Sequence, residues 1–231
     1  MKQKILAIIP ARAGSKGLKN KSILKLGKKP VIKYTIEQAK KSKFIDFICV
    51  STDSEEVQKI SNKEKVWCKY LRPKSISGDK SKLFHALKFV IDRTNYNPTI
   101  IIELHPTHVF RTTELIDKAI SIFLKKKLNS LISILEIKDT SHPDFVINLK
   151  NNKIQYKKSP TIFNRHYLNK KYRSSGIILI STLNSFLKNK NMISKDCYGF
   201  VVQNESEKID INLPIDFEFC KFLIENENKK F

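Results

Sequence analysis

Residues 5–22 read ILAIIPARAGSKGLKNKS, and this stretch decides the fold class. Its first five residues form a continuous apolar run, which is typical of a strand covered on both faces. The loop that follows holds Gly14 and Gly17, which let the backbone approach a ligand closely, and a cluster of cations: Arg12, Lys16, Lys19 and Lys21. Because open α/β sheets bind ligands beyond the carboxyl ends of their strands, this loop suits a triphosphate. A solvated basic loop is the alternative interpretation.

Strand-like runs alternate with helical patterns over the first 135 residues. Apolar or β-branched runs occupy residues 47–51, 67–71, 99–104 and 130–135, and amphipathic helices are predicted over residues 31–41, 54–65, 81–93 and 113–126. Asp53 and either Thr112 or Thr113 are the predicted N-caps. The alternation predicts a doubly wound α/β fold, with a mostly parallel sheet and helices on both sides.

The pattern changes between residues 138 and 173, where turn residues separate short strands over 145–148 and 153–157. This region predicts a β-hairpin excursion from the main fold. Strands return at residues 177–181 and 198–203, and a last helix over 215–225 follows Pro214. We expect residues 1–231 to form a single domain.

The chain is strongly basic, with 44 Lys plus Arg against 22 Asp plus Glu and a formal net charge of +22. Such a charge raises nucleic acid as a partner. However, 38 of these cations are lysines spread through every segment, whereas a specific nucleic-acid face concentrates arginine, whose planar fork reads phosphate and guanine. We therefore expect no nucleic-acid partner.

The cysteines and the apolar runs indicate the compartment. The four cysteines lie far apart without CxxC spacing, which is typical of reduced, buried thiols. No apolar run approaches the roughly 18 residues of a membrane span, and the apolar run near the start is shorter than a signal peptide requires. We expect a cytoplasmic protein with no membrane partner.

The arginines are few enough to be informative. Arg12, Arg72 and Arg111 each follow a strand-like run, so they are predicted to converge on one rim of the sheet. Arg165 and Arg173 lie in or near the excursion, whereas Arg93 sits inside a helical pattern and is expected at the surface.

A candidate cation site lies near the end of the chain. In the alternating segment 209–212, Asp210 and Asn212 fall on the same side of an extended chain, about 7 Å apart along the backbone. Their oxygens suit one hard cation. The alternative is that Asn212 and Asp216 form only a turn and an N-cap. The five histidines lack metal-ligand spacing, and plain hydrogen bonding is the commoner outcome for each.

Seven ordered motifs resemble those of the bacterial CMP-sialic acid synthetases, a group that includes enzymes activating legionaminic and pseudaminic acids. They run from the first strand to the last helix: IIPARAGSKGLKNKS at 8–22, STDSEEV at 51–57, LRP at 71–73, SGDKS at 77–81, LHPTHVFR at 104–111, NRHYLNKKYRSSG at 164–176 and IDINLPID at 209–216. The opening motif is highly specific, and the ordered series is more so.

The resemblance implies a Rossmann-like nucleotidyltransferase that transfers CMP from CTP to an acidic 2-keto (nonulosonic) sugar, releases pyrophosphate and requires Mg²⁺. The nucleotide-binding residues it implies are Ala11, Arg12, Gly14, Ser15, Lys16, Ser22, Arg72, Ser77 and Asp79. The catalytic residues it implies are Arg12, Lys16, Lys21 and Asp210.

The resemblance also implies a sugar site, a metal site and a homodimer. The sugar-facing residues would be His105, Thr107, Arg111, Arg165, His166 and Arg173. Asp210 and Asn212 would hold the metal, and residues 138–173 would form a small β-hairpin dimerisation arm that reaches towards the partner's active site.

Several positions depart from the family pattern. Most departures face the sugar, and they include His105, His108 and His166, while Ser22 and Asn212 replace family residues near the phosphates and the metal. They leave open another acidic sugar, such as the eight-carbon Kdo, and a nucleotide-sugar-binding relative with weak or no catalysis. A basic nucleic-acid-binding module is the third alternative. The general base of the reaction is unassigned.

Overall fold

A mixed β-sheet forms the centre of the fold. The computed structural model describes residues 3–14, 17–79, 81–138, 141–156 and 169–226. Within these residues the strands are β1 (Ile5–Ala11), β2 (Lys25–Leu26), β3 (Lys29–Pro30), β4 (Phe47–Thr52), β5 (Ile100–Glu103), β6 (Ser130–Glu136), β7 (Ile147–Lys150), β8 (Lys153–Tyr156), β9 (Tyr172–Thr182) and β10 (Tyr198–Val201). The central sheet has the order β10-β6-β9-β5-β1-β4.

Most neighbours in this sheet are parallel. Strand β1 pairs in parallel with β4 and β5, and β10 pairs in parallel with β6. Strand β9 is inserted antiparallel between β5 and β6. The predicted doubly wound, mostly parallel sheet is confirmed, and the carboxyl ends of β1, β4 and β5 meet at one edge.

Helices cover both faces of the sheet. They are α1 (Val31–Lys41), α2 (Glu55–Lys63), α3 (Leu83–Ile91), α4 (Thr113–Lys125), α5 (Leu183–Asn189) and α6 (Pro214–Glu225). Alternate side chains of β1 enter opposite cores: Ile5, Ala7 and Ile9 pack with α1, α2 and α4, whereas Leu6 and Ile8 pack with α3 and α5. This burial on both faces explains the continuous apolar run that β1 shows in the sequence. Among the described residues, no helix combines the length and apolarity needed to cross a membrane.

The structure corrects the prediction of a strand over residues 67–71. Only Trp67 forms a β-bridge, to Cys49 of β4. Beyond it the chain leaves the edge of the sheet, and the Arg72 backbone N–H donates to the Thr52 carbonyl at 2.6 Å. A one-residue contact at the sheet edge therefore replaces the strand and brings Arg72 to the carboxyl end of β4.

Two N-cap predictions have different outcomes. Thr112, one of the two residues predicted as the N-cap of α4, has this role: its side chain accepts a hydrogen bond from the backbone N–H of Leu115. Helix α2 is capped by Ser54 rather than Asp53, because the Asp53 carboxylate instead accepts the backbone N–H of Ala13 at 2.8 Å. Helix α5 was not predicted from the sequence. It has only seven residues.

The predicted hairpin excursion is present. Strands β7 and β8 pair antiparallel, and the turn between them holds Asn151 and Asn152 at φ 50° and 58°. Paired positive φ values twist the turn in the sense that a two-residue hairpin needs, and asparagine tolerates them better than most residues. Residues 157–168 of the excursion lie outside the described residues.

Replacement of the buried Phe123 by alanine tests the core between the sheet and α4. Phe123 is 2% exposed and packs with the larger core cluster. Because truncation removes buried surface and leaves a cavity, we expect Phe123→Ala to lower the free energy of unfolding by about 3–5 kcal/mol in denaturant titration. Phe219→Ala is the matched control, since Phe219 is 49% exposed on α6. An equal loss in both variants would contradict this core.

Candidate active site

A cavity of about 430 Å³ opens at the sheet edge where β1, β4 and β5 end. Its wall is built from five separate stretches of the chain, and the residues are Pro10, Ala11, Arg12, Gly17, Lys21, Ser22, Arg72, Leu83, His105, Pro106, Thr107, Asp210, Asn212 and Leu213. Ligands of doubly wound sheets bind at this edge. The cavity is therefore the candidate active site.

The loop after β1 packs directly against the segment that precedes α6. A Cβ atom on Gly17 would lie 2.2 Å from the backbone oxygen of Asn212, closer than two such atoms can approach. Glycine is thus required there by a close backbone contact. Gly14 differs, because a Cβ atom on it would meet nothing within 4 Å. Of the two glycines, only Gly17 is needed to join the first motif to the last.

Lys21 anchors the same junction. Its ammonium group donates to the backbone oxygen of Ile211 at 2.8 Å and to Oδ1 of Asn212 at 3.4 Å. Burial lowers the pKa of Lys21, and the carboxylate of Asp210 opposes that shift. The predicted catalytic lysine therefore lies beside both predicted metal ligands.

The two arginines of the wall are held by carboxylates. Arg12 forms an ion pair with Asp79 at 2.6 Å in which both side chains are partly exposed. Arg72 is buried, its Nε donates to Ser77 Oγ at 3.1 Å, and its Nη2 lies 3.7 Å from Asp53. Burial lowers the pKa of Arg72, which Asp53 partly offsets. Asp79 and Ser77 thus reach the site through the arginines they hold, and neither is on the cavity wall.

Asp210 and Asn212 lie side by side, as the alternating segment predicts. The Asn212 amide donates to Asp210 Oδ2 at 2.8 Å. The other carboxylate oxygen, Oδ1, is buried and lacks a hydrogen-bond partner among the described residues. Burial by itself would raise the pKa of Asp210, but its neighbours shift the pKa below its ordinary value: His108, Thr107, Asn212 and Lys21.

Asp216 caps the start of α6, which was the predicted alternative to a cation site in this segment. Its Oδ2 accepts the backbone N–H groups of Asn212 at 2.8 Å and Leu213 at 2.7 Å. These bonds fix the turn that leads into α6. Asp216 therefore positions the Asp210–Asn212 segment from behind.

Arg111 was expected to face the sugar, and the structure corrects this prediction. Its side chain is 1% exposed and donates to the backbone oxygens of His105 at 3.1 Å and Ile177 at 2.8 Å, and to Thr35 Oγ1 at 2.6 Å. Burial lowers the pKa of Arg111 to about 9, so it remains charged at neutral pH. Arg111 supports the cavity wall from beneath and does not enter the cavity.

The remaining predicted residues divide by position. His105 and Thr107 line the cavity, as do Ala11 and Ser22. Arg173 does not. It lies at a separate groove with Glu136, Lys138 and Glu205. Four predicted residues lie outside the described residues: Ser15, Lys16, Arg165 and His166.

Glu103 is a residue of the site that the sequence interpretation missed. It is the last residue of β5, is 1% exposed, and accepts a hydrogen bond from Nε2 of His105. The available signal was an acidic residue at the end of the apolar run IIIE, since an isolated carboxylate is costly to bury without a partner.

Comparison with known proteins places these features in a family. Residues 6–228 match the Cytidylyltransferase family. The N-acylneuraminate cytidylyltransferase of Escherichia coli O18:K1:H7 is 30% identical over 239 residues, which cover 100% of this chain and 54% of that protein. The chain thus spans about half the length of that relative.

A second relative matches over its whole length. The CMP-N,N'-diacetyllegionaminic acid synthase of Legionella pneumophila is 31% identical over 229 residues, covering 96% of this chain and 97% of that protein. A solved CMP:2-keto-3-deoxy-manno-octonic acid synthetase complexed with CTP shares the fold, with a TM-score of 0.74 at 15% identity over 97% of this chain and 100% of that one. With the family match extending over residues 6–228, this chain belongs to the cytidylyltransferase family.

Proposed function

We propose that this chain transfers CMP from CTP to an acidic 2-keto sugar of the nonulosonic class and releases pyrophosphate. The observation that carries the proposal is the convergence of Arg12, Lys21 and Asp210 on one cavity at the carboxyl edge of the sheet. A relative named for N-acylneuraminate, of which the chain covers about half, and a relative named for N,N'-diacetyllegionaminic acid, which it covers almost entirely, support the sugar class.

The cavity suits a reaction in which negative charge builds up on phosphate. A sugar hydroxyl attacks the α-phosphorus in line with the departing pyrophosphate, so the protein has to position the groups and stabilise charge and needs no covalent nucleophile. Arg12 is partly exposed and exchanges its ion pair with Asp79 for a phosphate when the nucleotide binds. Lys21 adds a second positive charge to the same cavity, and such electrostatic stabilisation is usually the largest catalytic contribution.

Asp210 and Asn212 form one part of the cavity wall, here called the acidic wall. These residues fit a magnesium ion. Asp210 has a buried carboxylate oxygen without a hydrogen-bond partner among the described residues, and the Asn212 amide supplies a neighbouring oxygen. No group of three or more His, Cys, Asp or Glu in the described ranges is placed to hold a metal alone. This set suits Mg²⁺, which binds with one or two carboxylates and takes its other ligands from phosphate and water. When bound, the ion neutralises phosphate charge.

We also propose a homodimer in the cytoplasm. The hairpin of β7 and β8 exposes apolar side chains that a second copy of the chain would cover: Val146, Ile147, Leu149 and Ile154. Contiguous exposed apolar surface is characteristic of interaction sites, and sedimentation of the full chain would measure the assembly. The free cysteines and the use of CTP support the location.

A substrate screen tests the function directly. The purified chain is incubated with CTP, Mg²⁺ and each of several acidic sugars, including N-acetylneuraminate, legionaminic and pseudaminic acids and Kdo, and pyrophosphate is measured. We expect release with at least one nonulosonic acid and none with CTP alone. CTP binding without pyrophosphate from any sugar would instead favour a nucleotide-sugar-binding relative. Salt-dependent binding to plain DNA without CTP binding would favour the nucleic-acid module.

Removal of the Arg12 side chain tests the phosphate-binding wall. We expect Arg12→Ala to lower kcat/KM for CTP by on the order of 10²-fold, because a cation at the reacting phosphates is lost. Arg93→Ala is the matched control, since Arg93 is exposed just beyond the end of α3, packs on Phe89 and does not line the cavity. Unchanged turnover in Arg12→Ala would remove this arginine from the site.

Two substitutions test the acidic wall. We expect Asp210→Ala to abolish pyrophosphate release, and Asn212→Asp to lower the Mg²⁺ concentration that gives half the maximal rate, because a second carboxylate binds a hard cation more strongly than an amide. Asn204→Asp adds the same charge at an exposed turn away from the cavity and serves as the control. An unchanged magnesium requirement in Asn212→Asp, or an active Asp210→Ala, would show that this segment holds no metal.

A further inference from the structure

A buried carboxylate and an imidazole form a pair in the wall of the cavity. Glu103 ends β5 with 1% of its surface exposed, and Oε1 of Glu103 accepts a hydrogen bond from Nε2 of His105. The His105 side chain is 35% exposed and lines the cavity. The pair therefore connects the interior of the sheet to the volume where substrate binds.

The hydrogen bond fixes the tautomer of His105. A carboxylate only accepts hydrogen bonds, so the proton of a neutral imidazole sits on Nε2 and the lone pair on Nδ1. Nδ1 has no hydrogen-bond partner in the part of the chain that the structure describes, and this atom is not buried. His105 thus presents a free proton acceptor next to the cavity.

The ring is held in place from two sides. Arg111 donates to the backbone oxygen of His105 at 3.1 Å, and a Cβ atom on Gly176 would lie 2.5 Å from Nδ1. Any larger residue at position 176 would displace the ring, so the glycine on β9 provides the space that His105 fills.

Glu103 is suited to stabilise a positive imidazole. Its second oxygen, Oε2, is buried and without a partner among the described residues, so His105 is the one hydrogen-bond donor to this carboxylate in the described part of the chain. An ion pair forms when His105 takes up a proton, as with the carboxylate that supports a catalytic histidine in hydrolases. His108 is close enough to His105 for the two to interact electrostatically, and Arg111 donates to the backbone oxygen of His105. The charged residues that line the same cavity are Arg12, Lys21, Arg72 and Asp210.

We propose that His105, oriented by Glu103, is the general base of this enzyme. In the step that follows from the proposed function, Nδ1 of His105 takes the proton of the attacking sugar hydroxyl as that oxygen bonds to the α-phosphorus of CTP. The bond from the α-phosphorus to the bridging oxygen breaks, and pyrophosphate leaves with the electron pair. The proton then passes from the imidazolium to solvent, and Glu103 is a positioning residue.

Single-turnover kinetics over a range of pH tests this assignment. The wild-type rate should fall on the acid side of the pH profile, because a protonated imidazole cannot accept the hydroxyl proton. We expect His105→Gln to lower the rate of the chemical step by about 10²–10⁴-fold and to abolish this acid limb. The dissociation constant for CTP should stay unchanged, since the glutamine removes the base and leaves the phosphate-binding wall intact.

Glu103→Gln distinguishes a positioning role from simple packing. The amide still accepts the Nε2 proton but carries no charge, so it stabilises imidazolium less. We expect a rate loss of at least roughly tenfold and an acid limb moved to lower pH. His85→Gln is the matched control, because His85 is exposed on α3 and lies off the cavity wall.

The outcomes separate the assignment from the function it rests on. A wild type that releases no pyrophosphate with any acidic sugar overturns the proposed function and the assignment together. An active wild type whose His105→Gln variant keeps the rate and the acid limb overturns the assignment alone. A rate loss in His105→Gln that is matched by weaker CTP binding and a lower melting temperature, with the acid limb retained, shows that the pair is only structural.

Discussion

The candidate site depends on one buried cation. The guanidinium of Arg111 joins the loop after β5 to β9 and α1 through the oxygens of His105, Ile177 and Thr35. Removing a charge from water is costly unless oxygens replace the water, and three elements must keep their positions to supply those oxygens. These bonds hold the carboxyl end of β5 in the position where His105 lines the cavity.

The wall of the cavity is divided by charge. Arg12, Arg72 and Lys21 form a cationic side suited to a polyphosphate, whereas Asp210 and the Glu103–His105 pair provide oxygen and nitrogen acceptors. The two sides meet where Lys21 bonds to the backbone of Ile211. A nucleotide that brings its own negative charge would relieve the repulsion among the cations.

Glycine makes this division possible at two points. Gly17 lets the loop after β1 touch the backbone of Asn212, and Gly176 lets β9 pass beside the ring of His105. Each joins segments that are far apart in the sequence, and each would be blocked by a single added carbon. The spacing of the cationic and acidic walls is therefore set by backbone contacts as well as by side chains.

Local sequence patterns were enough to predict the class of fold, and several residues predicted for the site line the cavity. Local signals predict α1 over 31–41, the buried strands and the hairpin, because hydrophobic period and turn residues are properties of neighbouring residues. The run of cations after β1 predicted a loop suited to a triphosphate and the Asp210–Asn212 alternation predicted a cation site, and the structure brings residues of both to one cavity. The folded structure was needed to show that residues 67–71 contact the sheet through one β-bridge, because local sequence patterns do not reveal where a sheet ends.

Tertiary structure also decided the roles of individual polar residues. Arg111 and Arg12 both follow strand-like runs, yet one is buried beneath the wall and the other lies on it. Asp53 accepts a hydrogen bond from the backbone of Ala13 and does not cap α2, and Glu103 accepts a hydrogen bond from His105. Burial and hydrogen-bond partners depend on residues tens of positions away, so the chemical identity of a side chain is local information, whereas its environment, and with it its chemistry, exists only after the chain has folded.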